Sequence, residues 1–126
     1  MLQAADCFVF PSRGEGWGLP PREAAATGLP VIATNGGGLE VEIEHWAYPV
    51  SVAGTSPAEY GFWDSTEIGE WMEPDMDELV HLFRWSFENQ EEVKSFGERA
   101  AAWLAENATW ERTALRLIDI VRRHLC

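Results

Sequence analysis

The stretch Phe8-Val9-Phe10-Pro11-Ser12-Arg13-Gly14-Glu15-Gly16-Trp17-Gly18-Leu19-Pro20-Pro21-Arg22-Glu23-Ala24-Ala25-Ala26-Thr27-Gly28-Leu29-Pro30-Val31-Ile32-Ala33-Thr34 decides the fold. Cys7 to Phe10 is a short apolar run of β-favouring residues stopped by Pro11 and Ser12, which predicts a buried parallel strand. After a loop from Ser12 to Leu19, Pro20 and Pro21 suit the first turn of a helix, where their missing N–H groups cost nothing. That helix runs through Glu23-Ala24-Ala25-Ala26 and stops at Gly28. Pro30 then introduces Val31-Ile32-Ala33-Thr34 as a second buried strand. Strand, helix and strand over so short a stretch make a βαβ unit, with the usual right-handed crossover.

The same logic extends in both directions. Met1 to Ala5 reads as the tail of a preceding helix. Asn35-Gly36-Gly37-Gly38 follows the second strand, Leu39 to Glu44 predicts a short helix, and Tyr48 to Val52 a third strand. Both glycine-rich loops then lie beyond the carboxyl ends of strands, where open α/β sheets bind ligands. Residues 53–74 are expected to be an irregular connection. Residues 75–126 are expected to be helical. Asp75 with Glu78 three residues on forms a cap and capping box for a helix with Met76, Leu79, Val80, Phe83 and Phe87 on one face. A second helix carries Val93, Phe96, Ala100, Trp103 and Leu104. A third, opening at Thr109, carries Trp110, Ala114, Leu117, Ile118, Val121 and Leu125, with Leu115 and Ile120 off the stripe. The fold class is therefore α/β, a short parallel sheet followed by a helical carboxyl-terminal third.

Composition narrows the function. With 126 residues, 46% apolar and 24% charged, the chain reads as about one small globular domain whose length allows a real core. Two cysteines make no disulfide framework, and no segment approaches the ~18 apolar residues of a membrane helix. Met1 is not followed by a signal-type basic stretch and apolar core, so a cytoplasmic location is expected. Nine Lys and Arg against twenty-one Asp and Glu give a net charge of −12, which disfavours nucleic acid and anionic membranes as partners. Between Met1 and Phe83 the only basic residues besides histidine are Arg13 and Arg22, which flank Gly14 to Gly18. They read either as charge serving an anion site or as two surface arginines keeping an acidic protein soluble.

The loop from Ser12 to Leu19 meets a helix amino terminus, so free backbone N–H groups and a positive dipole end are available to a phosphate. Gly16 and Gly18 would let a ligand approach the backbone closely. Glu15 in the loop and Glu23 in the first helical turn flank that site. Carboxylates cannot hold phosphate but accept hydrogen bonds from hydroxyls. Phosphate with hydroxyls at both ends describes a nucleotide sugar. Glu23 would also stabilise the helix dipole by about 0.3–1 kcal/mol with no ligand at all, so its acidity alone does not make a site. His45, His81 and His124 are scattered, and Asp75-x-Asp77 reads as helix capping, so no metal site is expected.

The run from Ala5 to Thr34 resembles the donor-binding segment of glycosyltransferase family 4, the group 1 glycosyltransferases. Their signature is two glutamates separated by seven residues, which Glu15 and Glu23 match. Pro11-Ser12, Gly16-Trp17-Gly18-Leu19-Pro20 and Gly28-Leu29-Pro30-Val31-Ile32-Ala33-Thr34 fit its surroundings, and a looser similarity continues through Gly36 to Gly38 and Trp71-Met72-Glu73-Pro74-Asp75.

The resemblance implies half of the Rossmann-like carboxyl-terminal domain of a GT-B enzyme, a single partial domain over residues 1–126 with a binding core in 1–52. It implies Glu15 and Glu23 as the catalytic pair, Glu23 on ribose hydroxyls and Glu15 on hydroxyls of the donor sugar. Arg13, Gly14, Gly16, Trp17, Gly18, Leu19, Gly36, Gly37 and Gly38 would contact the donor. It further implies hexosyl transfer with retention, a nucleotide-diphosphate sugar as donor, no cofactor and no metal. Trp17 stands where phenylalanine is commoner and Ala25 where methionine is. The family's amino-terminal acceptor domain and the basic residues that clamp the diphosphate have no counterpart, so the isolated chain is expected to be inactive and to pair with a missing domain or another copy. Two other readings stay open: a non-catalytic nucleotide-sugar-binding module, and an assembly protein in which an exposed Trp46, Trp63 or Trp71 would mark an interaction patch, although packing against the long connection accounts for most such aromatics.

Overall fold

The computed structural model describes residues 4–58 and 69–125. Three short strands, β1 (Phe8–Phe10), β2 (Val31–Thr34) and β3 (Tyr48–Val50), form a parallel sheet in the order β1-β2-β3. Phe8 pairs with Val31 and Thr34 with Val50 in register. Every residue of β2 is buried, as a central parallel strand covered on both faces must be. Helix α1 (Leu19–Ala26) is the crossover, so the expected βαβ unit is present. It ends as its sequence requires: Thr27 and Gly28 donate to the carbonyls of Ala24 and Ala25, with Gly28 at φ 84°.

Two layers cover the sheet. Val31 and Ala33 face a core with Ala24, Ala25, Leu39, Ile43, Trp46, Ala100 and Leu104, while Ile32 and Val50 face Leu79 and Leu82. Val93, Ala100 and Leu104 of α3 (Gln90–Asn107) are buried as its spacing predicts. The segment Leu39 to Glu44 is not one helix but two 3₁₀ turns, Gly37–Leu39 and Ile43–His45. Between them Glu42 takes a left-handed conformation at φ 53°.

Three further expectations are corrected. Residues 53–74 contain an antiparallel pair, β4 (Val52–Pro57) and β5 (Glu70–Pro74), with a bulge between Val52 and Gly54. Their Gly, Pro and polar residues carry no alternation, so the pairing has no local signature. Helix α2 (Met76–Glu88) is capped by Asp75, whose carboxylate accepts from the Asp77 and Glu78 N–H groups. The capping box does not close: the Glu78 carboxylate takes the Ser51 N–H, and the Asp75 N–H goes to the Ser51 carbonyl. Finally, in two of the helices apolar periodicity does not mark a covered face. Leu79 and Ser86 of α2 are buried, but Met76, Val80, Phe83 and Phe87 are exposed. In α4 (Trp110–Leu125) every side chain from Trp110 to His124 is exposed, Trp110 to 86%. The assignment of Met1 to a helix tail lies outside the described residues, as does the exposure of Trp63.

Candidate functional site

Two glycine-rich loops converge beyond the carboxyl ends of β1 and β2. The Gly38 N–H donates to the Glu15 carbonyl at 3.1 Å. A Cβ on Gly38 would lie 2.0 Å from the Gly16 carbonyl oxygen, so only glycine allows this approach. Gly18 caps α1 with φ 71° and ψ 56°, and a Cβ there would also strike Leu39. Its glycine is therefore required by the protein's own backbone, which revises the expectation that a ligand demanded it. Gly16 is different. A Cβ there would meet nothing within 4 Å and its φ is not positive, so packing gives no reason for glycine at that position.

Because α1 begins at Leu19, Glu23 falls in its second turn and no acidic residue stands in the first. The dipole explanation for Glu23 loses its basis, since that effect fades beyond the first turn. Pro20 and Pro21 occupy the first turn and have no N–H to offer. Donors come instead from the loop: among the described residues the N–H groups of Gly16, Trp17, Gly18 and Leu19 have no protein acceptor. The carboxylates of Glu15, half-buried, and Glu23, exposed, likewise make no hydrogen bond or ion pair among the described residues.

Neither arginine beside the loop is a free cation. Arg22 is 8% exposed, and its guanidinium carbon sits 4.4 Å from the centroids of both Trp17 and Trp46. Its Nε donates to the Trp17 carbonyl at 3.1 Å and its Nη2 to the Gly38 carbonyl at 2.8 Å. Burial pulls its pKa down, and the Glu42 carboxylate pulls it back up. A desolvated cation gains up to about 2 kcal/mol from an aromatic face, which offsets part of the cost of leaving water. Trp46 is fully buried and donates its own indole N–H to the Val41 carbonyl, so it is a packing residue and not part of a surface patch. Trp17 is 51% exposed at the rim.

Arg13 turns to the β4–β5 pair. Its guanidinium binds the Glu73 carboxylate and the Ser56 hydroxyl and lies 5.4 Å from the Trp71 ring. The Met72 N–H donates to the Arg13 carbonyl at 2.9 Å, a Cβ on Gly14 would lie 3.5 Å from Trp71, and Met72 lies against Gly36 and Gly37. The hairpin thus forms the back of both loops. Hydrogen bonds from Ser56 and Arg13 hold the Glu73 carboxyl below its ordinary value. Among the described residues no group of three His, Cys, Asp or Glu side chains could hold a metal ion.

Arg13, Gly14, Glu15, Gly16, Trp17, Gly18, Leu19 and Gly36 to Gly38 are thus brought together, with Glu23 one helical turn away. Sequence reading missed the structural tasks of Arg22, Trp46, Met72 and Glu73. One signal was available: Arg22 stands three residues before Ala25, on the face of α1 that the alanines bury.

A short parallel sheet with two glycine loops at its carboxyl edge has the architecture of half of a Rossmann-like α/β domain, a fold in which ligands bind at that edge. The family model described as "Glycosyl transferases group 1" matches residues 1–103, and the chain belongs to that family. It is similar to the D-inositol 3-phosphate glycosyltransferases of Mycobacterium bovis (strain BCG / Pasteur 1173P2) and Mycobacterium tuberculosis (strain ATCC 25618 / H37Rv). Each is 33% identical over 123 residues, which are 98% of this chain and 22% of the relative. The chain therefore spans about a fifth of the length of the curated relatives it matches.

Proposed function

We propose that this chain is the donor-binding part of a retaining, metal-independent glycosyltransferase that takes a hexose from a nucleotide diphosphate sugar. The observation that carries the reading is the composition of the loop: four consecutive N–H groups, Gly16 to Leu19, and two carboxylates, Glu15 and Glu23, all without protein partners among the described residues. Unpaired N–H groups suit diphosphate oxygens, and carboxylates suit hydroxyls. In this reading Glu23 takes the ribose hydroxyls, Glu15 the hydroxyls of the sugar, and the Gly36 to Gly38 loop lines the neighbouring wall. Arg13 and Arg22 serve the protein rather than the phosphates. Positive charge on the diphosphate would come from elsewhere in a longer protein, with the acceptor site.

The chain by itself is then a binding unit in the cytoplasm and not a working enzyme, because half a cleft neither encloses a transition state nor excludes water. Among the described residues no helix is long and apolar enough to cross a membrane. A thermal-shift panel of nucleotide sugars tests the assignment. A ligand at 100 times its Kd stabilises the fold by about 2.7 kcal/mol, which is several degrees for a chain of this size. Selective stabilisation by one nucleotide and its sugar conjugates is expected; no shift with any nucleotide or nucleotide sugar would overturn it.

A further inference from the structure

We propose that Arg22 is a positioning residue that aims the donor-binding N–H groups by locking the two glycine loops together from below; the donor in question rests on the function proposed above. A trans peptide is planar, so its C=O and N–H point in opposite directions. Arg22 Nε holds the Trp17 carbonyl at 3.1 Å, which turns the N–H of the same peptide, that of Gly18, away from the guanidinium. The Glu15 carbonyl is held at 3.1 Å by the Gly38 N–H, which turns the Gly16 N–H away from the second loop in the same manner. Arg22 Nη2 in turn holds Gly38 by its carbonyl at 2.8 Å. One side chain therefore controls both orientations, one directly and one through Gly38.

The chemistry selects arginine. A guanidinium is planar, offers separate N–H edges to two carbonyls at fixed angles, and stacks on aromatic faces, whereas an ammonium on a flexible stem does none of these together. Trp17 and Trp46, each 4.4 Å from the guanidinium carbon, hold the group in place. Trp17 belongs to the loop being positioned, and Trp46 to the fully buried core. The bracket thus ties a rim residue to the rigid interior, which is how a loop is kept in its binding conformation before a ligand arrives.

The test compares the full chain with Arg22→Lys and Arg22→Leu by amide NMR, with pyrophosphate as the anion probe and circular dichroism as the check on folding. In the wild type, pyrophosphate should shift the Gly16 and Gly18 amides. In both variants the Gly38 amide should exchange about tenfold faster, pyrophosphate should bind about tenfold more weakly, and amides within β2 should stay protected, as expected for loss of charge-assisted hydrogen bonds in a loop. If Arg22→Lys keeps Gly38 protection and full affinity, charge alone suffices and the inference fails. If neither variant folds, Arg22 is a core residue of the whole fold and the inference also fails. If pyrophosphate and nucleoside diphosphates leave the wild type unmoved, the proposed function fails, while Gly38 exchange still decides whether Arg22 holds the loops.

Discussion

Arg22 Nη2 donates a 2.8 Å hydrogen bond to the carbonyl oxygen of Gly38, sixteen residues further along the chain. This bond joins the helix that follows one glycine loop to the loop that follows the next strand. Neither segment alone forms the candidate site; the joined pair does.

Gly38 and Gly16 should respond oppositely to alanine. A Cβ at Gly38 would overlap the Gly16 carbonyl at 2.0 Å, so Gly38→Ala should destabilise by about 1–3 kcal/mol, as overpacking does. Gly16→Ala meets no protein atom within 4 Å and should leave stability within about 0.5 kcal/mol while weakening donor binding. Denaturant melts and ligand titration on the two variants check both halves.

The carboxylates should separate by ligand. Glu23→Gln is expected to weaken nucleoside diphosphate and nucleotide sugar alike, and Glu15→Gln chiefly the sugar-bearing donor, each by about 5- to 100-fold for a lost charged hydrogen bond. Neither should lower stability much, because neither carboxylate has a protein partner among the described residues. Isothermal titration with a nucleotide and its sugar conjugate checks this; equal losses for both ligands in Glu15→Gln would refute the assignment of ends.

Acid should loosen the hairpin before it unfolds the sheet. The Glu73 carboxyl lies below its ordinary 4.5 because Ser56 and Arg13 bind its charged form. A depressed carboxylate stabilises the fold above its unfolded pKa and loses that contribution as the pH falls through its folded pKa. The Met72 amide, bonded to the Arg13 carbonyl, should therefore lose protection on acidification below about pH 4, and Glu73→Gln should already show the loosened state at neutral pH. Salt should weaken the effect, because the pair is exposed.

Deleting residues 109–126 should cost this chain little stability, far less than loss of one buried core side chain. All side chains of α4 from Trp110 to His124 are exposed. Trp46→Ala is the contrasting variant: that ring is fully buried and its removal should cost about 3–5 kcal/mol. Thermal melts of the two proteins against the parent measure the difference.

The sequence by itself determined the βαβ unit, because each signal in it is local. Pro11 stops a strand, Gly28 ends a helix, and an apolar run as short as Val31 to Thr34 flanked by Pro30 and Asn35 can only be a buried strand; β2 has those bounds. It also placed both glycine loops on one edge, since parallel strands joined by a crossover put their carboxyl ends together. Tertiary structure alone decided the rest. Periodicity groups Met76, Leu79, Val80, Phe83 and Phe87 on one side of α2 but does not say how much of that side is covered, and here Leu79 packs on Ile32 and Val50 of the sheet and Ser86 is buried, while Met76, Val80, Phe83 and Phe87 are exposed. Glu78 could close a capping box by its spacing, but Ser51 engages both its carboxylate and the Asp75 N–H. The place of Arg22 on the alanine face of α1 is legible from its spacing to Ala25, but its role depends on Trp46 and Gly38 arriving beside it, and that long-range packing is not written in the residues around it.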